Sequence, residues 1–211
     1  MIRCIFSGIL GLMLITSGCA GIVDEGQMEE FFADLGDTSI TVYPTYIKRM
    51  AKDKSGNPLG QDAFNSGYEH TETERLAAFL RSECLAKVTV STKDVQLGGE
   101  WQKSQYGIFK ASSRAFGDYI ASHPIDTQYA MMAEYVIPQK KIWAVHAYVV
   151  NAKGELVWLL HLNEHFDIFT DINPQIPSEG TDVLLAFLRT GWPDVSEKCT
   201  TQVTETISIK K

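Results

Sequence analysis

Residues 141–163 read KIWAVHAYVVNAKGELVWLLHLN. Successive side chains of a strand point to opposite faces, so Lys141 to Val150 places Trp143, Val145, Ala147 and Val149 on one face. Asn151-Ala152-Lys153-Gly154 has the chemistry of a tight turn, with Gly154 where the backbone needs a left-handed conformation that glycine adopts without steric cost. Glu155 to Asn163 then returns as a second strand. The stretch is an antiparallel hairpin, and a chain that contains it is built around a sheet. The strip from Trp143 to Val149 is continuous enough to be core, worth about 25 cal/mol per Å² buried. His146, between Ala144 and Tyr148, falls on the other face and is expected half-buried and hydrogen-bonded rather than acting as a base. The polar residues at the end of the return strand are expected to face outward and to be expendable for folding.

Working outward, Tyr129 to Ile137 is a strand immediately upstream of the hairpin. Before it, Ile108, Ala111, Ala115, Phe116, Tyr119 and Ile120 recur at helical spacing and predict an amphipathic helix that stops before Pro124. Gly98-Gly99 breaks the chain, and Lys87 to Ser91 is a short strand. Thr71-Glu72-Thr73-Glu74 is a capping-box signature, followed by Leu76, Phe79, Leu80 and Cys84 on one helical face to about Leu85. Ser39 to Tyr43 alternates as a first strand that ends near Pro44, and Lys48 to Gly67 reads as a long exposed loop. Downstream, a loop with Pro174 and Pro177 leads to a helix capped by Ser178. That helix carries Val183, Leu184, Phe187 and Leu188 and closes at Gly191. The order is β-α-β-α-β-β-β-α, and the early β-α-β unit allows a parallel pair. The expected class is α+β: a mixed, mostly antiparallel sheet packed with helices in two or three layers. One domain spans residues 38–195, after a tether and short helix over 19–37 and before a C-terminal tail over 196–211.

The chain has 211 residues, of which 45% are hydrophobic and 21% charged, an ordinary globular composition that excludes a disordered or collagen-like chain. Its net charge of −7 makes nucleic acid an unexpected partner. Arg3 precedes an apolar run from Cys4 to Ile15, too short to span a bilayer but of the length of a signal-peptide core. It ends in Ile15-Thr16-Ser17-Gly18-Cys19. This resembles the bacterial lipobox, with Thr16 where leucine is commoner. The resemblance implies a signal over residues 1–18, cleavage before Cys19 and acylation of Cys19. Ala20, rather than aspartate, implies the outer membrane, with the protein facing the periplasm. With Cys4 removed and Cys19 lipidated, Cys84 and Cys199 remain in an oxidising compartment. A disulfide between them is the simplest reading, and two buried free thiols are the alternative.

The sequence Val149-Val150-Asn151-Ala152-Lys153-Gly154-Glu155-Leu156-Val157-Trp158 resembles the hairpin of a group of envelope proteins. The group includes the soluble domain of the curli-secretion lipoprotein, the lipoprotein activators of penicillin-binding proteins and the amino-terminal domain of TolB. Ser39 to Tyr43, Glu74 to Leu85 with Lys87 to Ser91, and Tyr129 to Tyr135 match that group's other elements, so the likeness covers about residues 38–190. The Lys48 to Gly67 loop and the Cys84/Cys199 pair depart from it. The resemblance implies a protein-interaction module at the cell envelope rather than an enzyme.

The candidate chemistry is sparse. His161-Leu162-Asn163-Glu164-His165 spells H-x-x-E-H, the inverted zinc-protease motif, which needs both histidines on one face of a helix with the glutamate beside a zinc-bound water. Here the motif continues a strand, which sets His161, Asn163 and His165 on one face and Glu164 opposite. Asp167, Asp171 and Asn173 lack calcium-loop spacing and read as loop residues. No nucleophile elbow or P-loop is present. Trp143, Trp158 and Trp192 are expected in the core, and Trp101 is the expected exposed aromatic. The expectation is therefore a lipid-anchored, non-catalytic binding or assembly module for another envelope component, with no cofactor and no metal. The alternatives are a small-ligand or metal-binding lipoprotein and, below that, a hydrolase using His161, Glu164 and His165. Binding is expected on the loops from Lys48 to Gly67 and from Gly98 to Trp101.

Overall fold

The computed structural model describes residue 31 and residues 38–49, 67–82, 87–97, 105–138 and 141–191. Cys19, Cys84, Cys199, the Gly98 to Trp101 loop and Trp192 lie outside the described residues, as do residues 50–66 of the expected long loop. The elements run β1 (Ser39–Val42), β2 (Thr45–Arg49), β3 (Gly67–Glu69), α1 (His70–Ser82), β4 (Lys87–Val90), α2 (Gln105–Ser122), β5 (Tyr129–Ile137), β6 (Ala144–Asn151), β7 (Leu156–Asn163), α3 (Asp167–Ile172) and α4 (Pro177–Gly191).

The fold is a mixed sheet packed with helices, as the element order predicts. Strand β5 is its centre. On one side β6 runs antiparallel to it, from Tyr129 opposite Asn151 to Val136 opposite Ala144, and β7 runs antiparallel to β6. On the other side β1 and β2 both lie parallel to β5, one after the other, with Thr41 opposite Ala130 and Ile47 opposite Tyr135. Strand β4 is parallel to β1, and β3 is antiparallel to β2.

The first strand therefore does not end at Pro44. Tyr43 N–H still reaches Met131 O at 2.8 Å, Pro44 has no N–H to give, and the chain resumes as β2 along the same neighbour. Thr45 N–H, at that break, donates instead to Thr73 Oγ1 of α1 at 2.7 Å. This shapes the start of α1 as well. The helix begins at His70, and Thr73 acts inside its first turn, donating back to Glu69 O, rather than as part of a capping box opened at Thr71.

Both faces of the sheet are covered. Helices α1, α3 and α4 pack on one face over Ile40, Met131, Tyr135, Val145, Val149 and Leu160. Helix α2 packs on the other through Phe109, Phe116 and Ile120, against Met132, Tyr148 and Val150. Two expectations change as a result. His146 is fully buried rather than half-buried. Trp143 joins Ile108, Val136 and Ala144 on the α2 side instead of continuing the Val145 strip, while Trp158 is core as expected.

The hairpin turn is as predicted, with Gly154 at φ +81°. Asn151 Oδ1 accepts the N–H groups of Lys153 and Glu155, each at 3.0 Å. The turn is also held from above, because the backbones of Gly154 and Gly117 of α2 meet. A Cβ on either would run into the other's carbonyl oxygen. Glycine inside a helix destabilises it by roughly 0.5–1 kcal/mol relative to alanine, and here its lack of a side chain permits the contact that seats α2 on the hairpin.

Downstream of β7 the structure adds α3, a short helix where the sequence reads as loop. Asp167 and Asp171 lie in this helix, and Asn173 ends it in the left-handed conformation. Helix α4 starts at Pro177, so Ser178 lies inside its first turn rather than capping it, and the carboxylate of Glu179 accepts Gln175 N–H at 2.6 Å. Arg75 of α1 ties α4 down, donating to Ser178 O at 3.0 Å and pairing with Asp182 and Glu72.

Candidate functional site

The α2 face of the sheet carries the concentrated polar chemistry of the described residues. Register puts it together: Tyr46 lies opposite Glu134, Glu134 opposite His146, and His146 opposite His161, so one row of side chains crosses β2, β5, β6 and β7. Lys48 stands two residues from Tyr46 on the same face. Glu134 and His146 are 0% exposed and Lys48 is 1% exposed. Lys48 belongs to β2 and to this interior; the reading of it as the start of an exposed loop is corrected.

An ionised carboxylate in an apolar interior is strongly disfavoured unless it is paired and hydrogen-bonded. Glu134 is both. Its Oε1 accepts Ser112 Oγ–H of α2 at 2.8 Å and lies 4.0 Å from Lys48 Nζ. Its Oε2 accepts His146 Nδ1–H at 2.8 Å and the Tyr148 hydroxyl at 2.7 Å. Burial by itself raises the carboxyl's pKa. The hydrogen bond and charge of His146, the Lys48 ammonium and the Tyr148 hydroxyl outweigh it and hold Glu134 below the usual carboxylate range. Tyr148 moves the other way: burial, and then the neighbouring Glu134 charge, push its phenol well above the ordinary value. Each oxygen of Glu134 is already occupied from within, so the cluster fixes charges and strand register and offers no free base to a substrate.

His161 extends the row towards the end of β7. It does not face outward as an expendable residue. Its ring lies 5.0 Å from that of His146 and 5.3 Å from Phe109 of α2, centroid to centroid. Burial, together with the charges of His146 and His165, pushes its pKa down to about 4. Asn163 Nδ2 donates to His161 Nε2 at 3.0 Å, and Asn163 Oδ1 accepts His165 N–H at 3.0 Å. Strand β7 stops at Asn163, so Glu164 and His165 are exposed turn residues beyond it. The H-x-x-E-H sequence is thus split between an inward-facing strand end and a turn. Among the described residues no group of three or more His, Cys, Asp or Glu side chains is placed to hold a metal ion.

Glu134 escaped the sequence reading although a signal was there. It is the charged residue in the otherwise apolar or aromatic run YAMMAEYVI. A carboxylate inside a strand buried on both faces has to find a cation or donors, and His146 and Tyr148 on the next strand were available partners. What hid the pairing was register, which depends on how the strands align in three dimensions.

The chain matches no protein family and no curated protein. Among solved structures it is similar to the PelC dodecamer from Paraburkholderia phytofirmans, at 11% identity over 72% of this chain and 87% of that one, with a TM-score of 0.32. It is similar to the LpoB C-terminal domain from Salmonella enterica, at 10% identity over 65% of this chain and 92% of that one, with a TM-score of 0.31. It is also similar to the LpoB C-terminal domain from Escherichia coli, at 11% identity over 65% and 91%, with a TM-score of 0.29.

Proposed function

We propose that this chain is a lipid-anchored lipoprotein of the cell envelope whose α+β domain acts as a non-catalytic binding or assembly module. The observation that carries the reading is the apolar run ending in Ser17-Gly18-Cys19. Acylation of Cys19 is the anchor, because several acyl chains together hold a protein at a membrane stably. With Ala20 next in sequence, the outer membrane, facing the periplasm, is the compartment. Cys84 and Cys199 form a disulfide there, which joins the region after α1 to the C-terminal tail. The partner is another envelope component, bound through exposed surface. Two features of the domain support a binding role over a hydrolytic one. The buried carboxylate is filled by its own neighbours, and the His161, Glu164 and His165 side chains are divided between interior and turn.

The test has two arms. Cells fed a radioactive fatty acid should label the wild-type protein and not Cys19→Ser, which should leave the membrane fraction or accumulate as precursor. An unlabelled wild type rejects the anchor. In a deletion strain, a chain carrying both Glu164→Ala and His165→Ala should restore the envelope phenotype as well as wild type does. Loss of the phenotype in a variant that folds normally and keeps its lipid replaces the binding reading with a metal-dependent or hydrolytic one.

A further inference from the structure

At the end of β7 two hydrogen bonds set the orientation of the Asn163 amide. Asn163 Oδ1 accepts His165 N–H, so the amide nitrogen must face His161, where it donates to Nε2 at 3.0 Å. A ring nitrogen that accepts a hydrogen bond carries no proton, and neutral His161 therefore bears its proton on Nδ1. That Nδ1 is buried with no hydrogen-bond partner among the described residues, and so is His146 Nε2 on the facing strand. The arrangement has a consequence when His161 gains a second proton. Nε2 becomes a donor and confronts the N–H groups of Asn163 Nδ2. The amide can satisfy it only by turning over to present Oδ1, and it then withdraws the acceptor from His165 N–H.

We propose that His161, Asn163 and His165 form an acid-released latch on the turn that joins β7 to α3. At neutral pH the Asn163 oxygen holds the His165 N–H and the turn is closed. Protonation of His161 claims that oxygen and opens the turn at His165, while the Phe166 N–H to Asn163 O bond does not involve the amide and is kept.

The surroundings favour a switch with a sharp cost for the acid form. Helix α2 presents the Phe109 ring to His161, an apolar roof. Strand β6 presents His146, and behind it stands Glu134, already engaged with His146, Tyr148, Ser112 and Lys48. The turn contributes His165, whose charge opposes protonation of His161, while Glu164 beside it is exposed. Among the described residues, no carboxylate forms an ion pair with His161. Burial and the two neighbouring histidines set the midpoint at about pH 4, so the latch is closed in neutral medium and opens in strong acid.

The experiment is nitrogen NMR on the intact protein, which distinguishes protonated from bare imidazole nitrogens and follows single backbone amides. At neutral pH, His161 should carry its proton on Nδ1. On acidification, the His161 ring and the His165 amide should titrate with one midpoint near pH 4, and the exchange protection of the His165 amide should fall about tenfold, as for a lost turn hydrogen bond. In His161→Gln the His165 amide should no longer titrate. In Asn163→Asp, where a carboxylate accepts from both groups, the His161 midpoint should rise. A proton on Nε2 at neutral pH overturns the proposal, and so does a His165 amide that titrates unchanged in His161→Gln. If His161→Gln does not fold, the wild-type tautomer and the Asn163→Asp midpoint decide on their own.

Discussion

The two faces of one sheet solve the same packing problem in opposite ways. Beneath α1, α3 and α4 the sheet presents Ile40, Met131, Val145, Val149 and Leu160, which any aliphatic neighbour of similar volume satisfies. Beneath α2 it presents Lys48, Glu134, His146 and Tyr148, each of which needs one particular partner at one particular place. Hydrophobic contact is non-directional and tolerant of small shifts, whereas a buried charge left without its partner is not tolerated. The apolar face drives collapse. The polar face selects among collapsed arrangements, since a one-residue slip of β5 against β6 would turn Glu134 and His146 to opposite sides.

The sharpest way to break this comparison is Glu134→Ala. It leaves the buried Lys48 ammonium without its counter-charge and His146 Nδ1 without its acceptor, and should destabilise the domain by about 3–5 kcal/mol in urea unfolding. The contrast is sharpened by pairing Glu134→Leu with Lys48→Met and His146→Phe, which should recover much of that loss if the charges serve register rather than net stability. Next in size is Leu160→Ala on the apolar face, expected to lose about 2–5 kcal/mol through transfer and cavity terms, with a smaller loss if the site collapses. A Glu134→Ala effect well below that of Leu160→Ala would remove the distinction between the faces.

Acid should act on the α2 face first. His161 has a folded pKa of about 4, below its ordinary 6.5, so the unfolded chain takes up its proton before the folded one does. Stability is then full above pH 6.5 and falls as the pH drops towards 4. The loss should be on the order of 1–3 kcal/mol, discounted for the ring's partial exposure. Glu134, also depressed, adds a further loss below the ordinary carboxylate range. Unfolding in urea at a series of pH values checks the sign, and His161→Gln should remove the decline above pH 4. The smallest effect is expected outside both faces: Glu164→Ala and His165→Ala, in the exposed turn, should each stay within about 0.5 kcal/mol.

Local chemistry made the hairpin legible. The turn from Asn151 to Gly154, the strands on either side and the bounds of β5 follow from alternation and from the conformational freedom of glycine, interactions between residues close in sequence. Helices α1, α2 and α4 were legible for the same reason, through apolar residues three and four apart, whereas the short α3 was read as loop. What the sequence by itself left undecided were matters of distance. Whether the Ala144, His146 and Tyr148 face met water or a helix depended on Gly117 letting α2 settle on the turn. Whether the first strand stopped at Pro44 depended on β5 being long enough to pair with both its halves. Whether Lys48 was a loop residue and His161 an outward one depended on Glu134 and Phe109, which approach them from other elements. Alternation says which side chains share a face. Only the assembled layers decide whether that face is covered, and so which of its polar residues must find one another.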